Sequence, residues 1–307
     1  MIRRSHCPHP VRTSAPLLGI LIAAVSALAL GQQMSPSWTW AAEKLARSPH
    51  RQEWVTINNG SRTLSGWVVY PDAKGKVPVV LVLHEVVGLT DSTRNTATEI
   101  AEMGYIAITP DMLSGLGPNG GSGSFTPRQK NSDALTSRPD NSVNSDLDSW
   151  ADYGLQLPEA NGRFALVGLS WGGGAAFRYA ATSKRSELRG VFVFYDIGPP
   201  AATQKYDGEP ASIPVSGIQV PVYGFYGSTD TRATSSIPAT KNAMVAADKF
   251  YEPVIYEGAD HAFMRMGEMP NASQANTDAL GSSLARLKKL LKGLLGDGSA
   301  TQLKEKR

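Results

Sequence analysis

The chain has 307 residues, 41% hydrophobic and 19% charged, with 30 glycines and 20 prolines spread along it, an ordinary globular composition sufficient for one large α/β domain. Its net charge of +3 arises wholly in the first thirty residues, where Arg3, Arg4 and Arg12 meet no acid, so the remainder is neutral and has no Lys/Arg cluster to recommend nucleic acid as a partner. The single cysteine, Cys7, lies in that same segment, which leaves the rest of the chain without a disulfide, a Cys-ligated metal or a thiol nucleophile.

A basic start followed by the uncharged run Ala15–Leu30, with small residues at Ala27 and Ala29, describes a secretory signal peptide over residues 1–30; the run is too short for a spanning helix, which needs roughly 20 apolar residues. Export to the periplasm or medium is therefore expected, with cleavage between Ala29 and Gly31. Residues 31–51 form a leader, a tether or a short helix, before a catalytic domain over 52–296. Two alternating runs, Trp54–Ile57 and Leu64–Tyr70, flank Asn58-Asn59-Gly60 and predict an antiparallel hairpin.

Beyond the hairpin the pattern changes to continuous apolar runs at Val77–Leu83, Tyr105–Thr109, Phe164–Val167, Val191–Phe194, Val222–Tyr226 and Val254–Tyr256. Such runs suit strands buried on both faces. Helical segments are predicted between them, over 92–103, 145–157, 171–183, 239–249 and 272–295. The alternation implies an α/β fold with a mostly parallel sheet of about eight strands and helices on both faces. Residues 114–142, rich in Gly, Ser, Asn and Pro, are too long for an ordinary connection and predict a mobile surface insertion or a lid. Residues 297–307 read as a disordered, solvated tail.

The sequence Gly168-Leu169-Ser170-Trp171-Gly172 lies between a predicted strand and a predicted helix. That context marks a nucleophile elbow: a tight turn with a strained backbone, whose flanking glycines avoid collision with neighbouring strand and helix. Ser170 would stand at the helix N-terminus, where free N–H groups favour a developing anion. Serine needs a base to take its proton. Outside the export segment the histidines are His50, His84 and His261. His50 precedes the first strand and His84 precedes the nucleophile in the chain, whereas a triad on this fold runs Ser, acid, His. His261 is therefore the expected base, with His84 a packing or hydrogen-bonding residue. For the acid, Asp230 closes the penultimate strand and is preferred over Asp196, at the end of the strand after the nucleophile, and over Asp260, which adjoins the histidine and would point away from its ring.

With the segments Leu83-His84-Glu85-Val86-Val87-Gly88-Leu89, Gly104–Asp111, the elbow, Tyr226–Asp230 and Gly258–Phe263 in view, the chain resembles the dienelactone hydrolase family of α/β-hydrolases over about Gly75 to Leu295. The resemblance implies that the backbone N–H groups of Val86 and Trp171 form an oxyanion hole. It places Glu85 beside the nucleophile and matches Arg265 to a family arginine that holds a substrate carboxylate. Otherwise Glu85 is a buried structural carboxylate and Arg265 a surface cation. Three departures stand out: Ser170 replaces the cysteine of the best-known members, Gly115 lies near the place of a second carboxylate-binding arginine, and the 114–142 insertion has no counterpart in compact members.

The function expected is an exported serine hydrolase cleaving a small-molecule carboxylic ester or lactone, with no metal or organic cofactor and no nucleic-acid or membrane partner beyond the export signal. A secreted polyester or lipid hydrolase, suggested by Gly172-Gly173-Gly174, and a catalytically silent binding protein on the same fold are the alternatives.

Overall fold

The computed structural model describes residues 39–117, 120, 128–198 and 215–296; the expected signal peptide, the start of the leader, the middle of the insertion and the tail lie outside the described residues. Eight strands form one sheet: β1 (Gln52–Asn59), β2 (Arg62–Val69), β3 (Val77–Leu83), β4 (Ile106–Pro110), β5 (Ala160–Leu169), β6 (Leu188–Phe194), β7 (Val222–Gly227) and β8 (Tyr251–Tyr256), in the order β1-β2-β4-β3-β5-β6-β7-β8. The β1–β2 hairpin is antiparallel, β2 runs antiparallel to β4, and all remaining pairs are parallel.

Strand β3 shows why the apolar runs lack alternation. Val79, Leu81 and Leu83 enter the core on one face while Val80 and Val82 enter the core on the other. With successive side chains on opposite faces, a strand covered on both sides needs an apolar residue at every position. The first core is closed by α4 (Asp140–Gln156) and α5 (Trp171–Thr182), through Leu147, Trp150 and Phe177, with Met244 of α7 (Ile237–Ala246). The second is closed by α2 (Asp91–Glu102), the short α8 (Phe263–Met266) and α9 (Gln274–Leu295), through Ile100, Phe263, Leu287 and Leu291.

Two segments hold more structure than their composition suggests. Within 31–51, Thr39–Ala46 is helix α1, docked on α2 with Ala41 and Leu45 buried rather than a free tether. Asn95 Nδ2 donates to the Ala41 carbonyl at 3.1 Å, and Lys44 Nζ lies 2.7 Å from both Glu99 and Glu268. Within 114–142, Arg128–Thr136 is helix α3. Leu135 is fully buried, and the nearby Arg138 donates to the Met112 carbonyl at 2.7 Å and to Asp146 Oδ2 at 2.6 Å. Helix α4 then starts at Asp140, five residues before the predicted start, behind Pro139. Most of these partners are far apart in the chain, so local apolar periodicity gives no sign of them.

Candidate active site

The site collects at the carboxyl ends of four parallel strands, where open α/β sheets place their ligands. β5 delivers Ser170, β7 delivers Asp230, β8 leads to His261, and β3 leads into the turn Glu85–Gly88. Ser170 adopts φ 50° and ψ −122°, a conformation costly for a side chain and maintained only by its surroundings. The flanking glycines explain how. A Cβ on Gly168 would stand 2.1 Å from the Gly172 carbonyl oxygen, and one on Gly172 would stand 2.5 Å from the Leu83 carbonyl oxygen. Ser170 N–H donates to the Phe194 carbonyl at 3.0 Å, which ties the elbow to β6.

Ser170 Oγ lies 3.0 Å from His261 Nε2, and His261 Nδ1 lies 2.6 Å from Asp230 Oδ2. Ser170 and Asp230 are buried, while the imidazole is 38% exposed, enough to meet a substrate. Asp230 also accepts from Ala233 N–H at 3.3 Å as the N-cap of the short helix α6 (Thr231–Thr234). Burial alone would raise its carboxyl pKa, but hydrogen bonding to His261, the imidazole charge and the Ala233 N–H bring it below the usual range. The two competing acids lie elsewhere. Asp260 is held away by Asn276 Nδ2 at 2.9 Å and Thr229 Oγ1 at 2.8 Å, which lower its pKa. Asp196 stands in the cavity wall, its pKa raised by burial and partly restored by backbone N–H groups and Arg232.

A cavity of about 210 Å³ holds Ser170, Trp171 and His261 together with Val86, Ser132, Thr136, Arg178, Asp196 and Arg232. Glu85 and Arg265, expected to meet the substrate, are not among these lining residues. Arg265 Nε donates to Glu85 Oε2 at 3.1 Å, and the Tyr195 hydroxyl donates to Glu85 Oε1 at 3.3 Å. The Nε edge of the Arg265 guanidinium is thus engaged in an internal ion pair with Glu85. The physical reason is burial: a carboxylate with 6% of its side chain exposed is stable only when paired.

The cavity's polar wall carried no motif. Arg178 of α5 pairs with Asp140 at 2.8 Å, and Arg232 lies 3.7 Å from Asp196; Ser132 and Thr136 come from α3, whose sequence looks like loop. The proximity of Arg232 to Asp230 in sequence was the one available hint. Among the described residues no group of three or more His, Cys, Asp or Glu side chains is placed to hold a metal ion.

Comparison with known proteins agrees with this fold. The profile of the dienelactone hydrolase family matches residues 64–294. A candidate carboxymethylenebutenolidase of Synechocystis sp. is 28% identical over 236 residues, covering 73% of this chain and 91% of its own length. The carboxymethylenebutenolidase of Pseudomonas putida is 25% identical over 219 residues, covering 69% and 86%. Among solved structures, a candidate dienelactone hydrolase from Klebsiella pneumoniae superposes with a TM-score of 0.65 at 24% identity, over 77% of this chain and 97% of that one, and shares the fold. With a family profile spanning most of its length and the eight-stranded sheet of that fold, the chain belongs to the dienelactone hydrolase family.

Proposed function

We propose that the protein is an exported serine hydrolase that cleaves a small carboxylic ester or lactone by acyl transfer to Ser170. The observation that carries this reading is the unbroken hydrogen-bonded chain from Ser170 Oγ through the His261 ring to Asp230. In the reaction, Ser170 Oγ attacks the carbonyl carbon as His261 Nε2 takes its proton, while Asp230 fixes the ring with its proton on Nδ1 and stabilises the imidazolium. The carbonyl oxygen becomes an oxyanion between the N–H groups of Val86 and Trp171. Trp171 is the first residue of α5, so its N–H has no acceptor within the helix. The C–O bond then breaks as His261 returns the proton to the departing alkoxide, which in a lactone stays attached as the opened ring. Water, deprotonated by His261, releases Ser170.

Belonging to a family of ester- and lactone-cleaving hydrolases supports the substrate class, and the relatives' names point to a lactone. Cavity size supports a small substrate: about 210 Å³ is below the roughly 300–1,000 Å³ of drug-sized pockets. It also favours this reading over a polyester or lipid hydrolase. Export rests on the basic start and apolar run of residues 1–30.

One experiment tests both parts. The intact mass of the exported protein is measured before and after a fluorophosphonate probe, for wild type and Ser170→Ala. An N-terminus beyond residue 27 and one probe adduct, absent from Ser170→Ala, are expected. A full-length exported protein would remove signal cleavage. A wild type that takes no adduct and hydrolyses no p-nitrophenyl acetate would leave the binding-protein reading.

A further inference from the structure

The turn after β3 carries Val86, whose N–H is one of the two donors in the acyl-transfer reading. Gly88 N–H donates to the Glu85 carbonyl at 3.0 Å, and His84 Nδ1 lies 2.7 Å from that same oxygen. On the other side of the imidazole, Met112 N–H donates to His84 Nε2 at 3.0 Å. A backbone N–H can only donate, so Nε2 is unprotonated and the ring proton sits on Nδ1, directed at the Glu85 carbonyl. The Glu85 carbonyl and the Val86 N–H belong to one peptide group. A trans peptide is planar, with its C=O and N–H pointing in opposite directions. Two donors on the carbonyl therefore fix the direction of the Val86 N–H.

The same imidazole stacks on Trp171, the residue of the second donor, with ring centroids 6.1 Å apart and planes 24° from parallel. It is fully buried, and burial lowers its pKa, which keeps Nε2 available as an acceptor. A second support comes from the insertion. Asn131 Nδ2 of α3 donates to the Val87 carbonyl at 2.9 Å, two residues beyond the Glu85 carbonyl in the same turn. Helix α3 also supplies Ser132 and Thr136 to the cavity wall.

We infer that His84 and Asn131 are positioning residues for the oxyanion hole, His84 aiming the Val86 N–H by holding the Glu85 carbonyl and Asn131 anchoring the turn to the helix that walls the cavity. This deepens the acyl-transfer reading and rests on it. The role differs from packing in one respect: it matters for the oxyanion and little for the bound ester.

The test uses His84→Phe, which keeps a ring and loses both hydrogen bonds, His84→Asn, which restores a donor near the Nδ1 position, and Asn131→Ala. Deleting an oxyanion donor outright lowers kcat by about 10²–10³. Misdirecting one in His84→Phe should cost about ten- to hundredfold in kcat with KM unchanged, and weaken a trifluoromethyl ketone inhibitor, whose adduct carries the oxyanion, by a similar factor. His84→Asn should recover part of both losses, and Asn131→Ala should show a several-fold loss in both. If His84→Phe does not fold, His84→Asn and Asn131→Ala carry the test through the matched falls in kcat and inhibitor affinity. Folded variants with wild-type kcat, or with lowered kcat and wild-type inhibitor affinity, would overturn the inference. Ser170→Ala is run alongside. Hydrolysis surviving there removes the acyl-enzyme reading, whereas an inert Ser170→Ala beside fully active His84 and Asn131 variants removes the positioning roles alone.

Discussion

Arg265→Ala takes away the guanidinium whose Nε lies 3.1 Å from Glu85 Oε2 and leaves that carboxylate, 6% exposed, beside the Tyr195 hydroxyl. A surface ion pair contributes about 0–1 kcal/mol, but removing one member of a buried pair strands the other charge and costs about 3–5 kcal/mol. At roughly 2–4 °C of Tm per kcal/mol for a domain of this size, the variant should melt some 6–20 °C below wild type. Glu85→Gln combined with Arg265→Met leaves no stranded charge and should recover most of the loss. Thermal unfolding followed by circular dichroism reads this directly. The competing role predicts a different result: an arginine that held a substrate carboxylate through a charge-assisted bond of about 1.5–3 kcal/mol would set a roughly ten- to hundredfold preference for a carboxylated ester over its methyl-capped analogue. Arg265→Ala should leave any such preference unchanged. A variant that melts within 2 °C of wild type and loses a carboxylate preference would refute the reasoning and return Arg265 to the substrate.

Asp230→Asn should lower kcat by about 10³–10⁴ through loss of the productive His261 tautomer, while Asp196→Asn, in the cavity wall, should cost less than tenfold; the reverse ranking in steady-state kinetics would exchange the two roles. Burial and the adjacent Glu268 push the Glu99 carboxyl pKa from 4.5 up to about 8, against the pull of Lys44. Between those values the native state holds a proton that the unfolded chain has released, so this group's contribution to stability declines as pH rises through that window. Urea unfolding from pH 4 to 9 should accordingly show Glu99→Gln gaining on wild type as pH rises, and a constant difference would discount the shift.

Much of the fold was legible because local and global preferences agree in it. The run Val77–Leu83 is apolar at every position because both faces of β3 are covered, and the observed strand has those same bounds. Helices α2, α5 and α9 begin within two residues of their predicted starts and end within one residue of their predicted ends. Helix α3 shows the limit. Its sequence, Arg128-Gln-Lys-Asn-Ser-Asp-Ala-Leu-Thr136, has no apolar stripe, and isolated helices this short are marginal in water. It is held by Leu135, by the Asn131 bond to Val87 and by the adjacent Arg138 bond to Asp146, partners that only the folded chain brings near.

The sequence by itself determined the strand order along the chain, the elbow around Ser170 and the Ser, Asp, His succession, because those depend on spacing, on glycine's missing side chain and on where apolar runs end. Tertiary structure set the geometry of that succession: Asp230, already preferred over Asp196 from its strand end, is brought 2.6 Å from the ring carried by β8's loop. It also placed Glu85 and Arg265, 180 residues apart in the chain, 3.1 Å from each other. A side chain's chemistry is written in its type; the neighbour that pairs with it is set by where the sheet brings separate strand ends together.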